Sequence, residues 1–348
     1  MFLAPDGAEI EIADTAAKFL SRAIPLDRLH GAAASPALSA SLRAEFASLG
    51  WFGLVLPEGA GGSGLSAVEH ALFYREVGRH CGPVDILAQG LAAMATDDHR
   101  LRAALLAGEQ CVALAVTDGS GLRLLGSPDA ALALYVDRDG ARLLDVSAIE
   151  TRPRPSLDPA TGMRTIARGT PEAITVLLDG DVWRLGQLAV AAMQVGVAET
   201  ALTLIVEYAK VRETFGRKIG TYQAVRHVCA DMTLRAEAAR CQLWSAAAAL
   251  KERRADAQAH LDAAQHLANR AALMNADANI QLHGGIGVTA EHHAHVLLKH
   301  SLLLSRLFGS KRTLLARLLH AEIGPADGVG AAGAAPVGRS VASPEAAG

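Results

Sequence analysis

Apolar positions recur at helical spacing from Ala8 to Ile24 and again from Pro36 to Leu49, with Ser35-Pro36 as a start signal for the second stretch and Gly50 as its stop. Ser66 opens another helix, because Glu69 three residues on completes a capping box ahead of Ala71, Leu72, Phe73 and Val77. One more helix is expected from the eighties to Leu106. At Val112 the period changes from helical to alternating. Short β-rich runs follow at Val112–Val116, Ala131–Val136, Ala141–Val146 and Ala173–Leu178, with Asp139-Gly140 as a hairpin signal between two of them. Pro153, Pro155 and Pro159 read as a loop, so a small antiparallel β-domain is predicted there. After Gly186 long amphipathic stretches return at Gln187–Val211, Tyr222–Arg254, Asp256–His283 and Glu291 to about Leu307. Four such helices stacked antiparallel make a bundle, which a last helix from Ser310 to Ile323 caps.

The expected fold is therefore mostly α with a small central β-domain. Its parts are an N-terminal helical domain over 1–111, a reduced β-domain over 112–183, a four-helix bundle domain over 184–323 and a tail over 324–348. That tail is Gly-, Ala- and Pro-rich and has too little apolar surface to offset its ordering entropy, so disorder is expected. Composition agrees: aromatics are only 4% of 348 residues, as close helix packing by Ala and Leu requires.

Charge narrows the function classes. Lys plus Arg number 33 against 36 Asp plus Glu, a net charge of -3, which argues against nucleic acid or an anionic membrane as partner. Charged or polar residues interrupt every apolar stretch before the roughly 18 residues that a bilayer span needs. The first residues carry no basic-then-apolar leader pattern, and Cys81, Cys111, Cys229 and Cys241 lack metal-ligand spacing. Reduced, buried thiols and a cytoplasmic location are expected.

Three motifs carry candidate chemistry. Gly59-Ala-Gly61-Gly-Ser-Gly64 fits the dinucleotide-binding string G-x-G-x-x-G, but no second strand with an acidic end follows, so an inter-helix loop is favoured. Arg212-Glu-Thr-Phe215-Gly216-Arg-Lys-Ile219 leads into a helix that carries Gln223 in its first turn. Arg212 offers a forked donor suited to phosphate, and free amides at a helix start attract anions; the plain alternative is a joint between helices with incidental charges. Gln281-Leu-His283-Gly284-Gly285-Ile-Gly287 forms a second glycine-rich joint after the third bundle helix.

Together these strings resemble the acyl-CoA dehydrogenase family, whose C-terminal domain carries R-x-x-F-G-x-x-I-x-x-x-Q and Q-x-x-G-G-x-G at about this separation. Pro57-Glu58-Gly-Ala-Gly61-Gly62-Ser63-Gly64 is similar to that family's P-E-x-x-G-G-x-G loop, and the resemblance runs over residues 1 to about 323. It implies FAD as cofactor, an acyl-CoA substrate oxidised to the 2,3-enoyl-CoA, and an acceptor of the electron-transfer-flavoprotein type. By similarity Arg212, Phe215 and Gln223 contact the flavin nucleotide, and Gln281, Gly284 and Gly285 approach its pyrophosphate and adenosine, serving a flavin bound mainly by a partner chain. Asp231 and Arg235 are CoA contacts by the same resemblance, or solvated helix-face charges.

Two departures stand out. Of the family's T-E-x-x-x-G-S-D and K-x-W-I-T strings, which hold the flavin ring, only Thr117-Asp118-Gly119-Ser120 partly matches the first and nothing matches the second. At the usual catalytic Glu stands Phe308, and a phenyl ring cannot accept a proton. Some members place the base on a channel helix, where counting from Ala230-Asp231-Met232 leads to Glu252, or to a solvated charge at the helix end. The Gly284-to-His292 string followed by Leu-Leu-Lys-His looks most like the short actinobacterial subgroup linked to sterol side-chain degradation. Some of its enzymes pair two different chains, one catalytically deficient. The chain is thus expected to be an enzyme working as a homo-oligomer or heterotetramer, or a non-catalytic partner completing the flavin site of a longer homologue. A flavin monooxygenase or oxidase on the same fold is a third, fold-related reading.

Overall fold

A computed structural model describes residues 5–29, 38–117 and 121–322. The start signal at Ser35-Pro36, Asp118-Gly119-Ser120 and the tail from 324 lie outside the described residues. The N-terminal helices are α1 (Gly7–Ala23), α2 (Ala40–Ser48), α3 (Ala67–Arg79), α4 (Val84–Met94) and α5 (His99–Leu106). The capping box at Ser66 is present: Glu69 accepts from the Ser66 backbone N–H at 2.9 Å, and the Ser66 hydroxyl accepts from Val68 N at 3.1 Å. Where one helix to Leu106 is expected there are two. Asp98 makes the break, its carboxylate accepting from Arg100 N and Leu101 N and starting α5 afresh.

Seven strands follow: β1 (Val112–Thr117), β2 (Leu122–Leu125), β3 (Leu132–Asp137), β4 (Gly140–Asp145), β5 (Glu150–Arg154), β6 (Met163–Arg168) and β7 (Glu172–Leu177). They form one sheet in the order β5-β6-β2-β1-β3-β4-β7. The sheet is antiparallel except where β1 runs parallel to β3, which corrects the purely antiparallel expectation. The predicted hairpin forms, with Asp137 opposite Gly140 and the Asp137 carboxylate accepting from Asp139 N and Gly140 N. Pro153 lies in a strand rather than a loop, because β5 is an edge where a missing N–H costs the ladder nothing. Alternation splits the sheet. Val112, Leu114, Leu132, Leu134 and Leu143 join the main core with α4, whereas Ala113, Ala115, Leu124 and Ala133 form a small second core on the other face.

The bundle consists of α6 (Asp181–Val211), α7 (Gln223–Lys251), α8 (Ala257–His283) and α9 (Ala294–Leu304), followed by α10 (Lys311–Leu319). A two-residue hairpin of β8 (Glu213–Thr214) and β9 (Arg217–Lys218) links α6 to α7. By length and composition α6 could cross a membrane, but most of its apolar window is buried inside the protein. It packs against α3, α7 and α8. At the α3–α6 crossing a methyl on Gly78 would lie 2.0 Å from the Met193 carbonyl oxygen, and one on Gly196 would lie 2.1 Å from that of Arg75. Only glycines allow this approach. The Glu199 carboxylate locks it, accepting from Arg75 (2.9 Å) and Arg79 (2.7 Å).

Candidate functional site

From Ala60 to Leu65 the amides of the G-x-G-x-x-G loop all donate to backbone carbonyls. Gly62 N donates to Pro57 O, Ser63 N to Gly53 O, Gly64 N to Leu56 O and Leu65 N to Leu54 O, so these amides close the turn on itself. No strand precedes it; Trp51–Gly53 and Glu58–Ala60 are short helical turns. A phosphate cradle is therefore absent among these residues.

The other two joints meet at one end of the bundle. Tyr208 on α6, whose carbonyl accepts from Arg212 N at 2.8 Å, packs its ring at a tilt against His283, the last residue of α8, with ring centroids 4.4 Å apart. The His283 ring lies in tilted contact with His292 at 4.2 Å, and its Nδ1 is 2.7 Å from the Asn279 carbonyl. Burial lowers the pKa of this imidazole, which favours a neutral ring donating from Nδ1. The sequence reading missed Tyr208 and His292; a shared helical turn with Arg212 and proximity to Gly284 were the only signals.

Around these rings the expected cofactor residues face outward. Arg212 is exposed, and among the described residues no carboxylate pairs with it. Phe215 tops the β8–β9 hairpin, 99% exposed at φ 50°, beside Gly216 at φ 75°. The hairpin is braced behind by Tyr222, whose hydroxyl donates to Thr214 O (2.9 Å) and whose ring lies under the Arg217 guanidinium at 4.0 Å. Gln223 and Gln281 are exposed. Gly284 needs its glycine for φ 69°, but Gly285 has neither a positive φ nor any atom within 4 Å of where a Cβ would stand. Nothing within the chain requires glycine there; the free space suits a ligand that lies on the backbone.

A second region surrounds Phe308. Its ring is buried, edge-on to Trp183 at 5.1 Å, and its backbone takes φ 55°. Trp183 lies near the start of α6, as do Asp181, Arg184 and Leu185, which line a cleft of about 510 Å3. The cleft's other walls are Leu65 to Ala67 and the α7–α8 turn, including Lys251 and Arg253. Lys251 is tied to Glu9 at 2.9 Å and Arg184 to Asp181 at 2.9 Å, whereas Arg253 has no ion pair among the described residues. Glu252 caps α7 and is exposed; its neighbours line the cleft and it does not. Asp231 is exposed on α7, and Arg235 turns into the bundle, donating to Asn275 Oδ1 at 2.9 Å, so neither lines the cleft. The cleft cations Arg184 and Arg253 were missed because they come from separate segments.

The cysteines are all free thiols, but only Cys81 is fully buried and Cys241 is exposed, which corrects the expectation of four buried thiols. Among the described residues no group of His, Cys, Asp and Glu is arranged to hold a metal.

A helical layer, a central sheet and a four-helix bundle with two glycine joints at one end define the acyl-CoA dehydrogenase class of fold. The chain belongs to the acyl-CoA dehydrogenase family: residues 7–99 match its N-terminal domain and 184–321 its C-terminal domain. Acyl-CoA dehydrogenase IpdE2 of Mycobacterium tuberculosis is 34% identical over 275 residues, covering 76% of this chain and 81% of that protein. Acyl-CoA dehydrogenase FadE34 of the same organism is 32% identical over 79% of this chain, which spans only 41% of the length of that relative. The solved structure of the Tcur3481-Tcur3483 steroid ACAD G363A variant is 27% identical, with a TM-score of 0.74 over 90% of this chain and 97% of that one. The mycobacterial relatives agree with the actinobacterial grouping read from the motifs.

Proposed function

We propose that the chain is a subunit of an FAD-dependent acyl-CoA dehydrogenase that converts an acyl-CoA to its 2,3-enoyl-CoA. The observation that carries this reading is the convergence of Arg212, Phe215 and the open backbone at Gly284-Gly285 on one outward-facing end of the bundle. The residues fit the flavin nucleotide. Arg212 pairs with a phosphate, Phe215 offers a flat apolar face, Gln223 and Gln281 hydrogen-bond polar edges, and Gly284 and Gly285 let the pyrophosphate approach the main chain. These groups are exposed, and the family resemblance implies that the flavin they serve is shared with a neighbouring subunit, a second copy or a related chain. Bound FAD supplies the hydride acceptor for the β-carbon of the thioester.

The acyl-CoA enters by the cleft at the start of α6, where Arg184 and Arg253 meet its phosphates. Asp231 and Arg235 are left as helix-face and bundle contacts. The resemblance to a steroid ACAD supports a bulky polycyclic acyl group, and an electron-transfer flavoprotein is the fitting acceptor.

A second reading, in which this chain completes another subunit's site without catalysing, is favoured by Phe308. Removing the α-proton needs a base, and the residue at that corner is an aromatic ring packed into the core. The test is flavin reduction by acyl-CoA in the complex formed with a co-expressed homologous chain. Glu252→Gln in this chain is expected to leave the rate within twofold, because Glu252 is exposed and outside the cleft lining. A loss of a hundredfold or more would make Glu252 the base. Absence of FAD and of acyl-CoA binding from every assembly of the chain would overturn the function itself.

A further inference from the structure

Between α1, α3 and α7 lies a cavity of about 630 Å3 that the glycine joints and the cleft leave unused. Ile10 and Ala13 of α1, Leu72 of α3 and Trp244 of α7 give it apolar walls, and Ile10 is left 49% exposed there. The three arginines in its lining are already held, since Arg75, Arg79 and Arg240 converge on Glu199. An apolar hollow whose cations are paired suits an apolar occupant rather than an anion. Pro5, the first of the described residues, lines the same cavity. The start of α1 next to it is fixed by a capping box, in which Glu9 N donates to Asp6 Oδ1 at 2.9 Å and Asp6 N donates to Glu9 Oε2 at 2.8 Å. At such a start the residue before the cap packs on the fourth residue of the helix. Those two residues are Pro5 and Ile10, and both face the cavity.

The chain that leads to Pro5 is Met1-Phe2-Leu3-Ala4, without one polar side chain. A proline favours extended backbone in the residue before it, and four extended residues span about 14 Å, enough to cross a hollow of this size. We propose that residues 1–4 are the occupant of the cavity, with Phe2 and Leu3 against Leu72 and Trp244, and that this strap sets the position of α1 at the cleft. Glu9 is the link. One of its carboxylate oxygens completes the capping box, while the other, Oε1, accepts from Lys251 Nζ at 2.9 Å, and Lys251 lines the cleft. A strap that holds the start of α1 therefore also holds a cation in the cleft wall. This coupling rests on the reading of the cleft as the acyl-CoA entrance; the seating of Phe2 and Leu3 does not.

The test uses the full chain with any co-purifying partner, labelled with fluorotryptophan, and the fluorine resonance missing from Trp244→Phe is that of Trp244. Phe2→Ser with Leu3→Ser, and separately removal of residues 1–4, should shift this resonance and leave those of Trp51 and Trp183 in place. Cys241, which also lines the cavity, should react with a thiol reagent several-fold faster in both variants. Phe2→Leu should keep the parent's resonance and reactivity. Titrated with free coenzyme A, the two strap variants should bind it several-fold more weakly than the parent. Glu9→Gln, which removes the charge that Lys251 pairs with, should weaken coenzyme A binding likewise without moving the Trp244 resonance. An unmoved Trp244 resonance with unchanged Cys241 reactivity in both strap variants overturns the seating. A Trp244 resonance that moves only when a co-purifying partner is removed makes that partner the occupant and overturns it too. Equal coenzyme A affinity in parent and strap variants overturns the coupling. Failure of the parent to bind coenzyme A overturns the cleft reading and the coupling with it, while the fluorine and thiol measurements still decide the seating.

Discussion

Gly186 and Phe308 share one space: a methyl on Gly186 would sit 2.4 Å from the Phe308 ring and 3.0 Å from Leu91. Gly186 is in the interior of α6, where alanine would ordinarily stabilise the helix by about 1 kcal/mol. Here the ring must move, and overpacking of this kind costs about 1–3 kcal/mol.

Gly186→Ala is therefore expected to lower the melting temperature of the parent but to be neutral or stabilising in a Phe308→Ala background. A double-mutant cycle should return a coupling of about 1–3 kcal/mol. Additive effects would mean that the glycine is present for some other reason.

Asp158 and His300, both fully buried, tie the β5–β6 loop to α9 through a 2.8 Å contact, and Asp158 also accepts from Thr161 Oγ1 and Ala160 N. Burial pushes the Asp158 carboxyl up, but His300 and these donors more than reverse it, so the net pKa is lowered. Its stabilising contribution is present above the ordinary carboxylate range and is lost as pH falls through the lowered folded value. His300→Ala leaves the carboxylate buried without its partner and should cost about 3–5 kcal/mol near neutrality. The deficit should shrink below about pH 4, where Asp158 is protonated in the unfolded chain as well. Chemical denaturation at about pH 7 and about pH 3 checks both parts.

Asp85 has the opposite sign. Burial raises it to about 7, although its carboxylate accepts from Ser127 N at 2.7 Å. The unfolded chain releases this proton near pH 4 and the folded one only near neutrality, so the folded state loses stability across that window, by about 4 kcal/mol for a shift of about three units. Asp85→Asn keeps an acceptor for Ser127 without the charge. Its melting temperature relative to the parent should rise steadily from pH 4 to pH 7 and then level off; a flat difference would show that Asp85 does not titrate in this range.

Arg212→Ala removes a charge-assisted phosphate contact worth about 1.5–3 kcal/mol. FAD retention by the assembled protein should fall tenfold or more with the apoprotein's stability unchanged, since the side chain is exposed and unpaired among the described residues. Unchanged flavin content would remove Arg212 from the cofactor site.

The motifs at Arg212, Phe215, Gln223, Gln281 and Gly284 were legible because the chemistry of each joint is local: a few consecutive residues at a helix end contain the glycine, the donor and the turn. Helix existence was legible for the same reason, through periodicity and the Ser66–Glu69 box. The strands β2, β5 and β6 were not, since Leu122–Leu125 spans only four residues and Arg, Thr and Pro break up the apolar alternation of Glu150–Arg154 and Met163–Arg168. The break at Asp98 escaped notice because an N-cap competes with an apolar stripe that continues across it.

By itself the sequence determined the order of helical layer, sheet and bundle, the two glycine joints and the aromatic ring at Phe308, all properties carried by neighbouring residues or by a repeating period. Only the tertiary structure decided that the two joints meet through Tyr208 and His283, that Phe308 fills the space left by Gly186, and that Glu252 faces solvent. It also brought Ile10, Leu72 and Trp244 around one cavity. Each of these depends on how helices far apart in the chain cross and pack, and close packing selects that geometry among many the same periodicities allow.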